Sequence, residues 1–166
     1  MWTLMDMSDS TKSIYQLKIT LMGLEPPVWR RVLVPGDISL YNLHYTIQFL
    51  MGWQDSHLHI FCVGKEHFGA KSQDSDKIQD ESKIILQDIA PKAGAESIYE
   101  YDMGDSWTHK IRVEKITPAT AEFQGIECLT GERACPAEDR GGVWGYENML
   151  AAIRDPKHEQ HDEMVE

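Results

Sequence analysis

Two histidines one residue apart, His57 and His59, stand in an extended stretch, WQDSHLHIFCV. Side chains at i and i+2 of a strand share a face, so two imidazoles at this spacing can chelate one metal ion. A carboxylate such as Asp105, or the imidazole of His109, would complete a set suited to a divalent metal. The competing reading is two partly buried histidines hydrogen-bonded within a sheet, since a lone His-x-His is a weak signal.

The second group lies in YEYDMGDSWTHKI, Tyr99 to Ile111. Read as a hairpin turning at Met103-Gly104, it opposes Asp102 to Asp105, Glu100 to Trp107 and Ile98 to His109. Directly opposed residues share a face, so three carboxylates near the turn would stand beside Trp107 and His109, with Tyr99 and Tyr101 on the other side. A change of one residue in the register would dissolve this cluster. Asp102, Asp105 and His109 are therefore catalytic candidates. Glu138-Asp139 adds two more just before Gly141-Gly142, where paired carboxylates serve acid–base chemistry, bind a cation, or form a solvated turn or helix cap. His158 and His161 share a helical face in the acidic tail, where a solvated helix end is the simpler reading. The sequence has no GxSxG, Walker A, GxGxxG or HExxH pattern, which removes the commonest hydrolase, nucleotide and zinc-protease readings.

Several elements must position these groups. Residues 1–13 read as a flexible N-terminal arm, and residues 14–166 as one domain. From Ile14 the apolar residues Tyr15, Leu17, Ile19 and Leu21 alternate with polar ones, a strand with one buried face. Glu25-Pro26-Pro27 breaks it, and a second strand runs from Val28 to Val34. Ser39 is an N-cap, and Leu40, Leu43, Ile47, Leu50 and Met51 recur at helical spacing until Gly52. Further strands are expected at 57–63, 97–102 and 106–116. Gly69 to Ser82 reads as an exposed mobile loop, Ile84 to Ile89 as a strand or a helical turn, and 117–144 as a long irregular connection. Tyr146, Met149, Leu150 and Ile153 stripe a second helix ending before Asp155-Pro156, where Asp155 can cap a further short helix. Trp29, Trp53, Trp107 and Trp144 read as core or rim aromatics. The fold class is α+β: a mostly antiparallel or mixed sheet with two or three packed helices.

The chain has 166 residues, 27 acidic against 16 basic, and a formal net charge of −11. A surface this negative repels phosphate backbones and anionic lipids. Arg30 and Arg31 are adjacent in a strand and point to opposite faces, so they build no basic patch. Direct nucleic-acid binding by this domain alone is not expected. The three cysteines, Cys62, Cys128 and Cys135, form neither a dense disulfide framework nor a zinc knuckle, and Cys62 in its apolar run reads as a reduced core thiol. No signal peptide or membrane-length apolar run is visible, so a cytoplasmic domain is expected.

Three ordered blocks carry a family resemblance. They are PPVWRRVLVP with SLYNLHYTIQFLMGW and HLHIF from Pro26 to Phe61; YEYDMGDSWTHKI from Tyr99 to Ile111; and CLTGERACPAEDRGGVWGY with DPKHEQHDEM from Cys128 to Met164. In these the chain resembles the plasmid pRiA4b ORF-3-like family. The resemblance implies a place on plasmids and chromosomes, among proteins some of which are labelled passenger or resolvase-like proteins of insertion elements. It marks His57, His59, Asp102, Asp105, Trp107, His109, Glu138, Asp139, His158 and His161. Ala137 stands where the family usually has a second proline, and relatives commonly continue past the position of Glu166 through a short apolar segment that would serve as an interaction surface. The resolvase label needs a positioned nucleophilic serine and a basic DNA-binding module, and neither is present.

Two functions follow as expectations. The first is an accessory or interaction domain associated with plasmids or mobile elements, with a protein partner. The second is a metal-assisted hydrolase using a His/Asp face, with a divalent metal as cofactor and His57, His59, His109 and Asp105 as its candidate ligands. A metal with a concave pocket would favour the enzyme, and a flat apolar patch the interaction module.

Overall fold

The computed structural model describes residues 12–71 and 76–165. Most of the expected N-terminal arm, residues 1–11, lies outside the described residues. Ser13–Leu21 (β1) and Val28–Pro35 (β2) pair antiparallel, and Tyr15, Leu17, Ile19 and Leu21 are all buried as their alternation requires. Leu40–Met51 (α1) begins at Ser39, whose side chain accepts from the Asn42 N–H, and ends at Gly52 in the left-handed region with φ 74°. That backbone conformation suits glycine and lets the Gly52 N–H close the last turn on Gln48 and Phe49. Leu40, Leu43, Ile47 and Met51 seat the helix in the core, with Leu50 half-buried beside them.

The remaining strands are His59–Val63 (β3), Glu66–Gly69 (β4), Ile78–Asp80 (β5), Glu96–Tyr101 (β6), Trp107–Pro118 (β7) and Glu127–Glu132 (β8). Short helices cover Leu86–Ile89 (α2) and His161–Val165 (α4), and a longer one Gly142–Arg154 (α3). All eight strands form one sheet in the order β5-β4-β3-β6-β7-β1-β2-β8. Every strand pairing among the described residues is antiparallel except β4 with β5, so the sheet is mixed and the fold α+β. Lys18, Arg31 and Glu114 mark a more solvated region, where Arg31 binds Glu114 at 2.6 Å and both cations stand over the Trp29 ring.

Four expectations need correction. The polar stretch from Gly69 to Ser82 is not all loop: Ile78–Asp80 adds a parallel edge strand and Glu81 is buried, while residues 72–75 lie outside the described residues. A parallel pairing of three residues leaves no period-two signature to read. The irregular segment 117–144 holds β8, whose side chains are all exposed and so show no apolar alternation. Trp144 is neither core nor rim but 84% exposed on α3. Finally, the hairpin register differs by one residue, with Tyr101 opposite Trp107 and Tyr99 opposite His109.

The physical cause of that shift is the turn. Asp102 and Ser106 both take positive φ, 59° and 53°, and the Ser106 N–H closes on the Asp102 carbonyl at 2.6 Å. The connection therefore runs from Asp102 to Ser106, not over Met103-Gly104 alone. An odd-length turn exchanges the facing sets. Tyr99 and Tyr101 join Trp107 and His109 on the buried face, while Glu100 turns away from them.

Candidate functional site

His57 does not belong to the strand with His59; it sits just before β3. From there its Nε2 lies 2.8 Å from Asp139 Oδ1 and 3.5 Å from Asp102 Oδ2. The three potential ligand atoms lie within 4.8 Å of one another and come from three separated chain segments. Asp102 is fixed by its own turn: Oδ1 accepts the Gly104 N–H at 3.0 Å and the Asp105 N–H at 3.3 Å, leaving Oδ2 toward His57. Asp139 is 72% exposed at its side chain and reaches in from solvent.

Neighbouring groups brace this constellation. Asp105 Oδ2 accepts the Gly141 N–H at 3.2 Å. Gly142, at φ 67°, lies so close that a Cβ there would meet the Asp105 carbonyl oxygen at 2.5 Å. The Tyr101 hydroxyl donates to Glu138 and accepts the Ser56 N–H; burial, with Glu138 second, pushes the Tyr101 hydroxyl pKa up and keeps it a donor. Four of the non-glycine residues with positive φ, Asp55, Asp102, Ser106 and Asp139, fall in or beside the site. Each such residue costs about 1 kcal/mol or more, and such strain gathers at functional positions.

A second set adjoins the first. His44 on α1 faces His59, ring centroids 3.5 Å apart and planes 7° from parallel. His59 Nε2 is 2.7 Å from the buried Glu81 Oε2. His44 sits in a closed network. Gln48 donates to the Tyr99 hydroxyl, which donates to His44 Nδ1, and His44 Nε2–H donates to Asp55. Asp55 also accepts from the Tyr45 hydroxyl and donates its N–H back to the Gln48 side chain. Burial, aided by His59, lowers the His44 pKa to about 4 despite Asp55. Atoms of His44, Asp55 and His59 also lie within 4.8 Å of one another. Yet both His44 nitrogens are engaged, and parallel stacked rings direct their in-plane lone pairs alongside each other rather than at one point.

Of the candidates read from the sequence, His57, Asp102, Asp105, Glu138 and Asp139 come to one end of the sheet. His59 and His109 do not join them. His59 belongs to the adjoining set with Glu81. His109 is fully buried, its Nδ1–H on the Tyr99 carbonyl at 3.3 Å and its ring against Trp53. Burial lowers its pKa to about 4. His57 and His59 thus do not chelate one ion in this arrangement, because leaving the strand turns His57 away. His158 and His161 bond locally in the tail, His161 Nδ1 to the Ala152 carbonyl.

His44, Asp55 and Glu81 were not singled out from the sequence. The signal for His44 and Gln48 was present: both interrupt the buried face of α1 at i, i+4 spacing. Beside both sets lies a cleft of about 490 Å³, lined by His44, Asp55, His57, His59 and Glu81 together with Tyr41 and Tyr45.

The comparisons with known proteins fit this architecture. The family model described as plasmid pRiA4b ORF-3-like protein matches residues 13–166. The uncharacterized protein y4hQ of Sinorhizobium fredii (strain NBRC 101917 / NGR234) is 40% identical over 156 residues, which cover 93% of this chain and 80% of that one. The crystal structure of the protein of unknown function MM3350 from Methanosarcina mazei Go1 superposes with a TM-score of 0.85 at 37% identity, covering 93% of this chain and 88% of that one. No helix among the described residues is long and apolar enough to cross a membrane. With the family match over residues 13–166 and a relative 40% identical across 93% of the chain, the chain belongs to the plasmid pRiA4b ORF-3-like family.

Proposed function

We propose that this protein is a metal-assisted hydrolase, with a divalent cation held by His57, Asp102 and Asp139. The supporting observation is that one imidazole and two carboxylates from separate segments offer ligand atoms within 4.8 Å of one another at the edge of a cleft. Two carboxylates sharing one imidazole leave excess negative charge, which a cation neutralises. Three protein ligands leave a coordination position for water, and a mixed N/O/O set suits zinc or manganese. A cation held there would lower the pKa of a bound water and supply a nucleophile for ester or amide hydrolysis, with Asp105 as the candidate base for the water proton and as the acid that would return it to the leaving group.

Calorimetric titration of zinc and of manganese into chelator-treated protein tests this reading. One equivalent should bind, His57→Ala and Asp139→Ala should each weaken binding by at least about tenfold, and ester or amide hydrolysis should depend on the metal. No binding, or binding undiminished in both variants, overturns it.

A second reading, an accessory or interaction domain with a protein partner in a plasmid or mobile-element setting, is favoured by a different surface. An apolar groove of about 780 Å³ runs between α1 and residues 125–128. Phe49 stands 85% exposed at its edge, with Ile126 exposed beside it. Patches of this kind commonly mark contact surfaces. Its test is partner capture by the parent protein and loss of that capture in Phe49→Asp.

A further inference from the structure

The cleft beside His57 is chemically one-sided. Among the described residues that line it there is no lysine or arginine, while Asp55 and Glu81 supply two carboxylates. Lys71 stands in a smaller adjoining hollow, together with Asp80 and Glu81. His44 is held neutral at physiological pH by its buried position. Glu81 lies 2.7 Å from His59 on one wall, and Asp55 reaches His44 and the Tyr45 hydroxyl on the other. With a chain net charge of −11 behind it, the cleft repels a phosphate ester or carboxylate and attracts a cation.

Its walls also suit an organic cation. The Tyr41 and Tyr45 rings meet at 70° with centroids 5.0 Å apart, and both are exposed. Aromatic faces attract ammonium groups through the ring quadrupole. Asp55 uses one oxygen for His44 and the other for the Tyr45 hydroxyl, and a carboxylate has about four lone-pair sites. Two therefore remain for an ammonium N–H. Leu58, exposed on the cleft wall, and Ala70 offer apolar surface for the carbon chain behind it.

We propose that this cleft binds a protonated alkyl amine, so that the substrate carries an ammonium group seated on Asp55 beside the paired Tyr41 and Tyr45 rings. As a statement about substrate it rests on the hydrolytic reading above; as a statement about binding it stands without a metal. The ammonium end would lie on Asp55, and the scissile carbonyl would extend toward His57, which lines the same cleft.

The test is a heteronuclear NMR titration of the full chain in excess chelator with n-butylammonium, n-butanol and butyrate at matched ionic strength. Saturable shifts confined to residues around Tyr41, Tyr45 and 55–58 are expected for the ammonium. Its affinity should exceed that of butanol by about tenfold, a gain in keeping with one ion pair and cation–π contacts, and butyrate should give none. Asp55→Asn should lose that preference. Because Asp55 also braces His44, Tyr41→Leu provides a second variant at an exposed position, expected to weaken binding several-fold with spectral changes confined to residues beside position 41. Equal response to butanol or butyrate, shifts centred elsewhere, or no saturation with ammonium overturns the proposal. The chelator keeps the two readings separable: failure here leaves metal binding intact, and failure of metal binding leaves this result intact.

Discussion

His44 and His59 lie face to face, 3.5 Å between ring centroids and within 7° of parallel, with a carboxylate on each: Asp55 on His44 and Glu81 on His59. His44 is the ring held neutral, its hydrogen bonds complete without an added proton.

A pH dependence of stability follows. His44 and His109 both have folded-state pKa values lowered to about 4, below the ordinary value of about 6.5 for histidine. Between these values the unfolded chain binds more protons than the folded one. Stability is therefore fully present above about pH 6.5 and falls as pH drops toward 4, on the order of a few kcal/mol for each ring. Urea unfolding at pH 7 and pH 5 checks this. Equal stability at both would contradict the buried neutral assignments.

His109→Phe separates the core from the proposed cation site. His109 Nε2 and Trp107 Nε1 are buried without a hydrogen-bond partner among the described residues. The change removes an unsatisfied buried acceptor together with the long 3.3 Å Nδ1–H bond to Tyr99, and an apolar ring of similar shape in their place is close to neutral. The variant should keep its pH 7 stability within about 1 kcal/mol, flatten the pH dependence and leave metal affinity unchanged. A large loss of metal binding would return His109 to the site.

Gly142→Ala should disturb the site through the backbone. Its Cβ would meet the Asp105 carbonyl oxygen at 2.5 Å at a φ of 67°, a clash with a rigid group in a region disfavoured for alanine. A destabilisation of about 1–3 kcal/mol is expected, with weakened metal binding as Asp105 and the neighbouring Asp139 shift. Thermal unfolding together with metal titration measures both, and an unaffected variant would show that this contact does not brace the site.

Phe49→Asp should be thermodynamically silent. With the side chain 85% exposed, the change should alter stability by no more than about 0.5 kcal/mol while reducing binding of an apolar fluorescent dye to the α1 groove. Undiminished dye binding would locate the apolar surface elsewhere.

The limits of what the sequence reveals have particular physical causes. β1, β2 and α1 are legible because each buries one face of a regular period, and Ser39 and Gly52 mark the helix ends chemically. The hairpin faces differ from the sequence expectation because register depends on turn length, and positive φ at Asp102 and Ser106 is not written in residue type as it would be for glycine. The carboxylates of the site were identifiable by kind and by their nearness to glycine turns. A shared surface for His57 with Asp102 and Asp105 is expected from their chemistry; the addition of Asp139 is not, since it depends on how the long connection returns to His57. β5 and β8 carry too few buried side chains to leave a pattern.

Anomalous diffraction from crystals of the full chain soaked in zinc, recorded at the zinc edge, tests the cation site directly. One strong peak is expected about 2.0–2.2 Å from His57 Nε2, Asp102 Oδ2 and Asp139 Oδ1. A peak between His44 and His59 instead, or none near His57 at saturating zinc, would contradict it.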